Sequence, residues 1–144
     1  MIFYVVSGVV RFYYLNEDAT ESDRLFAQGG TFIRPVTAVR LGLLYGCQAL
    51  STCVVMTASY ETLCSMFESN LNFQKFDERL SREMLSRKDR HLRALQDLSA
   101  AERVQDFGKR FPDLVETVPQ YHIANYLGMS PVSYSRLKKK LPES

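Results

Sequence analysis

A chain of 144 residues, 46% hydrophobic and 24% charged, suits one ordinary domain or two small ones and is too apolar to be disordered. The net charge of +2 hides an asymmetry: residues 1–78 carry five Lys+Arg against eight Asp+Glu, and residues 79–144 carry thirteen against eight. A basic second half permits a nucleic-acid partner, and no apolar run is long enough to cross a bilayer, so no membrane partner is expected.

The chain opens on a strand-like stretch with no basic leader before it, so a cytoplasmic location is expected. "IFYVVSGVVRFYYL" is rich in β-branched and aromatic residues and is broken by Ser7-Gly8, which reads as two strands around a tight turn. "NEDATESD" reads as a polar connection, and "RLFA" as a short strand closed by "QGG". Between Thr31 and Arg40 the pattern is ambiguous, because Pro35 argues against a central strand. "LLYGCQAL" and "CVVMTA" are two more strand candidates, and several short strands at close intervals suggest a sandwich or barrel. The three cysteines, Cys47, Cys53 and Cys64, lack metal-ligand spacing and are expected as buried, reduced thiols. With only two histidines in the chain, no zinc or iron–sulfur site is expected.

The period changes at Ser59. "YETLCSMF" reads as a short helix, and Leu71 to Asp97 as a long one without Gly or Pro. Phe73, Phe76, Leu80, Met84, His91 and Leu95 share one stripe at helical spacing, interrupted by Arg87, with Leu71, Leu85 and Leu92 to one side. So long a helix is expected to pack one face on the β part and another on a second copy of the chain. Ser99-Ala-Ala-Glu102 is a capping box that starts a further helix, which should end before Pro112.

The last stretch, "HIANYLGMSPVSYSRLKKKL", reads as two short helices around a turn. The first runs from about Pro119 to Leu127, with Ile123, Ala124 and Leu127 on one face. Gly128 ends it, Ser130 caps the second helix, and Pro131 suits its first position. On the second helix Tyr134, Leu137 and Leu141 point one way, and Val132, Ser135, Arg136 and Lys139 the other. Arg can bond guanine O6 and N7 in a major groove, Ser a base or phosphate, and Val a thymine methyl. Lys138, Lys139 and Lys140 suit phosphates. Two helices joined by a short Gly-containing turn are what a helix-turn-helix needs.

Nearly the whole chain resembles the Crp–Fnr family of bacterial transcription regulators. "FYVVSGVVRFYYLNEDATE", "LFAQGGTFI" and "QALSTCVVMTASYETLCSMF" look like successive parts of that family's β-roll. "LSAAERVQDFGKRFPDLVETVPQYHIANYLGMSPVSYSRLKKKL" is similar to its DNA-binding segment, with the Ala-Glu-Arg opening, the Phe-Pro break and the Tyr-Leu-Gly-x-Ser-Pro turn. The resemblance implies an α+β fold with a double-stranded β-helix (jelly-roll) domain of the cyclic-nucleotide-binding type over 1–69. A long dimerisation helix over 70–98 and a winged-helix-like DNA-binding domain over 99–144 would follow. It implies a homodimer bound to double-stranded DNA at an inverted repeat, with RNA polymerase and an unidentified small-molecule effector as further partners. Carried over by position, Val132, Ser133, Ser135 and Arg136 would face bases. Gln120 and the three lysines would face phosphates, with Ser130 at the same surface. Phe73, Phe76, Leu80, Met84, Arg87 and His91 would form the dimer contact.

Three departures qualify the resemblance. Val132 stands where many relatives have Glu, so base preference there should differ. Arg34 and Pro35 replace the Gly-Glu pair that holds a ribose, and Leu43 replaces the Arg that meets a cyclic phosphate. Arg34, Arg40 and Leu43 are the remaining effector-pocket candidates. A phosphodiester buried without a cation is costly, so cyclic nucleotide, like any other cofactor, is not expected. The roll's first strands and the wing after the last helix have no counterpart here, so an incomplete roll and a reduced or absent wing are expected. The competing reading is a degenerate sensor or protein-interaction module without specific DNA binding. Catalysis is not expected, because no nucleophile–base arrangement, paired carboxylates or phosphate loop stands out.

Overall fold

The computed structural model describes residues 1–34 and 42–140, so the expectations resting on Pro35, Arg40 and Leu141 lie outside the described residues. Among the described residues, six strands precede six helices. The strands are β1 (Ile2–Ser7), β2 (Val10–Leu15), β3 (Glu21–Ala27), β4 (Thr31–Ile33), β5 (Tyr45–Ala49) and β6 (Val54–Ala58). They form two antiparallel three-stranded sheets, ordered β4-β1-β6 and β3-β2-β5.

The first two strands were expected as a pair, yet each is central in a different sheet. Gly8 makes the corner. Its φ is +86°, and a Cβ there would come within 2.4 Å of the Thr52 carbonyl oxygen. Alternation along the strands then sends Val5, Val10, Phe12, Ala27 and Ile33 into one core between the sheets. The polar connection is shorter than expected, because β3 already includes Glu21, Ser22 and Asp23. Arg11 on the neighbouring β2 pairs with both acids, which lets them stand in a strand. The ambiguous stretch after Gly30 begins as strand β4. The cysteines are free, as expected, but Cys47 is exposed and Cys53 and Cys64 are only half-buried. Cys47 and Cys53 line an open gap of about 230 Å³ between the sheets, which is why neither is enclosed.

The helices are α1 (Tyr60–Ser69), α2 (Leu71–Asp97), α3 (Ala100–Arg110), α4 (Pro112–Thr117), α5 (Gln120–Tyr126) and α6 (Pro131–Lys140). Ser99 and Glu102 form the reciprocal capping box expected at the start of α3. Pro112 ends α3 as expected, but it also opens α4, because its fixed φ suits a first helical position.

A second core joins α3–α6 and includes Val9 and Phe26 from the strands. The Phe26 ring centroid lies 6.3 Å from Phe107 and 5.3 Å from Tyr126. The helices therefore cover the outer side of the β3-β2-β5 sheet. α2 spans both regions but buries none of its residues. Near its start Phe76 meets Phe32, with centroids 5.6 Å apart, and Arg34 bonds Asp77 and Ser81. Near its end His91 stacks on Tyr126 at 4.1 Å.

Candidate nucleic-acid interface

The turn between α5 and α6 is closed by backbone bonds from Gly128 N–H to Asn125 O at 3.0 Å and from Met129 N–H to Ala124 O at 3.0 Å. Gly128 has φ +66°, the left-handed conformation that closes a helix C-terminus without a Cβ penalty. Ser130 Oγ accepts from the Ser133 N–H at 3.2 Å and lies 2.9 Å from Ser133 Oγ, so Ser130 caps α6 and its hydroxyl is engaged with that of Ser133. Ile123, Ala124 and Leu127 are buried, as their shared face predicted.

α6 divides as its pattern implies. Tyr134 is 1% exposed and anchors the helix in the core, while Val132 is 77% exposed. Burial, and after it Glu116, pushes the Tyr134 phenol up, so it stays neutral. Gln120, Pro131, Val132, Ser135, Arg136, Lys139 and Lys140 line an open groove of about 740 Å³. Ser133 and Lys138 are half-buried and stand outside that lining. Among the described residues no carboxylate pairs with Arg136 or the three lysines. Lysines in the last turn also complement the negative end of the helix dipole. The surface is thus exposed at Val132, cationic and not neutralised by a carboxylate among the described residues, which suits an anionic partner.

The other expected residues are scattered. Of the dimer candidates, Phe73, Phe76 and Arg87 are exposed, and Leu80, Met84 and His91 are half-buried. Phe76 and His91 already meet Phe32 and Tyr126 of their own chain. Of the effector candidates, Arg34 is engaged by Asp77 and Ser81, and Leu43 is exposed. Sequence reasoning missed a polar cluster of Arg11, Asp23, His122 and Asn125, which ties β2 and β3 to α5. No sequence signal marks it, since 99 residues separate Asp23 from His122.

No protein-family model matches the chain, and no curated protein matches it. Solved structures do. FixK2 from Bradyrhizobium japonicum aligns with TM-score 0.82 and 19% identity, over 97% of this chain and 73% of that one. The c-di-GMP-responsive global regulator CLP of Xanthomonas campestris aligns with TM-score 0.65 and 19% identity, over 96% of this chain and 75% of that one. A transcriptional regulator assigned to the Crp/Fnr family from Eubacterium rectale aligns with TM-score 0.75 and 14% identity, over 96% and 67%. The two-sheet strand part and the helical part align together with these proteins, and the chain therefore has the Crp/Fnr regulator fold.

Proposed function

We propose that the chain is a sequence-specific DNA-binding transcription regulator that grips an inverted repeat as a homodimer. The observation that carries this reading is the outer face of α6, where exposed Val132 and Arg136 share one groove with Ser135, Lys139 and Lys140. α5 and α6 act as a helix-turn-helix, with α6 the recognition helix. Arg136 reads guanine through paired hydrogen bonds, Ser135 reads a base or phosphate, and Val132 packs on a thymine methyl. Gln120 and the lysines hold phosphates and set the register. Two copies related by a two-fold axis present recognition helices about 34 Å apart, one turn of duplex.

A cyclic nucleotide is not part of this reading. The Arg34 guanidinium is spent on Asp77 and Ser81, and Leu43 offers no charge to a phosphate.

The test is fluorescence anisotropy against a pooled library of inverted-repeat duplexes over a salt series, beside Arg136→Ala. The expected result is selective binding that weakens steeply with salt. Arg136→Ala should cost about 1–3 kcal/mol and relax the preference at one base pair of each half-site. Binding that ignores sequence and is unchanged in the variant would leave the basic face as an electrostatic patch. The chain would then be an interaction module.

A further inference from the structure

Arg11, Asp23 and His122 are each 4% exposed, yet all three are polar. Arg11 is the hub. Its Nη1 donates to Asp23 Oδ1 at 2.9 Å, its Nε donates to Gln48 Oε1 at 2.6 Å, and its Nη2 pairs with Glu21. Burial opposes the Arg11 charge, but the bonds to Glu21 and Asp23 outweigh it and hold the group above its ordinary range. His122 Nδ1 lies 2.9 Å from Asp23 Oδ2 and 3.1 Å from Arg11 Nη1. One nitrogen cannot donate to the first and accept from the second. The carboxylate needs the donor, so Nδ1–H donates to Asp23. At the rim, Asn125 Oδ1 accepts from the Asp23 backbone N–H at 2.7 Å, and its Nδ2 donates to the Glu21 carbonyl at 3.0 Å.

The same interface holds the apolar contact of Phe26 with Phe107 and Tyr126. That contact attracts without direction and tolerates sliding. The polar bonds do not, because donor and acceptor must stay within hydrogen-bond distance and angle. A slip leaves the Arg11–Asp23 pair intact within the sheet but takes the His122 N–H from the buried Asp23 carboxylate and the Asn125 acceptor from the Asp23 backbone N–H, and a buried polar group without its partner is costly. A buried ionic network adds little net stability over apolar side chains of the same volume, so its use here is to select one arrangement.

We infer that Arg11, Asp23, His122 and Asn125 are positioning residues. They fix the angle at which α5, and α6 after it, leaves the β3-β2-β5 sheet. They thereby set the separation of the two recognition helices in the dimer. This rests on the DNA-binding reading above. The consequence is spacing rather than base choice, since the base-facing side chains stand on an α6 that the network does not touch.

The experiment uses the full chain and duplexes carrying two half-sites at the preferred spacing and at one base pair more or less. One base pair turns a half-site by about 35°. The wild type is expected to lose roughly tenfold or more for each change of one base pair. Asn125→Ala and Asp23→Asn should cut that loss to about threefold or less, with the preferred bases unchanged. Asn125 is exposed, so Asn125→Ala stays folded even if Asp23→Asn does not. A second arm needs no DNA: spin labels placed by non-thiol chemistry at Glu17 and Lys139, diluted with unlabelled chain, should give one narrow distance distribution that broadens in both variants. A folded Asn125→Ala with an unchanged spacing penalty and an unchanged distribution overturns the inference. If the wild type shows no sequence preference, the regulator reading fails. The distance distributions alone then decide the lock, broadening supporting it and constancy overturning it.

Discussion

The His91 imidazole stacks on Tyr126 and so joins α2 to α5. Burial first, and then Arg24 and Arg110, hold its pKa below the ordinary histidine value. The unfolded chain has no such surroundings and keeps the ordinary value. Between the lowered folded value and the ordinary one, the unfolded chain binds more protons, so stability rises with pH across that window. This contribution is complete above the ordinary histidine range and is lost as pH falls through it. His91→Phe keeps a ring on Tyr126 but removes the titration. Urea midpoints measured between about pH 7 and 5 should fall less steeply in the variant than in the wild type. Equal slopes would mean that His91 is not held neutral by its surroundings.

At the level of elements, the turn between α5 and α6 has little freedom. Gly128 stands at φ +66°, and a Cβ there would also lie 3.2 Å from Leu95 Cδ2 of α2. Gly128→Ala is expected to cost about 1–2 kcal/mol in denaturant unfolding, since an L-residue resists the left-handed conformation. Gly108, inside α3 with open space around its would-be Cβ, is the control. Gly108→Ala should stabilise by about 0.5–1 kcal/mol. The turn was legible because Gly128, Ser130 and Pro131 announce it locally. The capping box at Ser99 was legible for the same reason. Local signals failed where a residue has two roles or where its partner is distant. Pro112 reads as a stop and is also a start, which hides α4 from local pattern. β1 and β2 read as a pair around Gly8, but β1 takes its partners from far along the chain, with Ile2 opposite Ala58. Glu21 and Asp23 read as loop because nothing nearby in sequence shows that Arg11 neutralises them. The outward face of α6 needed only helical period to be seen, whereas the cluster on His122 needed the folded chain.

Across the whole molecule, α2 poses a question of stability. Its 27 residues reach about 40 Å at the helical rise, yet none is buried. A helix in water gains little from propensity alone and depends on packing of an apolar face. Here the chain's own contacts cluster towards its ends, with Phe76, Asp77 and Ser81 near one end and His91 and Leu95 near the other. Leu71, Leu85 and Leu92 remain more than half exposed. A second copy of α2 would cover such residues, and the same pairing would place two α6 helices for an inverted repeat. If so, folding and association are coupled, and the melting temperature should rise with chain concentration by mass action. Sedimentation velocity should show a dimer that dissociates on dilution, and Leu85→Glu should shift it toward monomer by placing a charge in the contact. The variant retains α6 intact, so it should keep weak binding to a single half-site while losing the gain from a second. A monomer at every concentration, with a melting temperature independent of concentration, would remove the pairing of α2. The two half-sites would then have to be occupied independently.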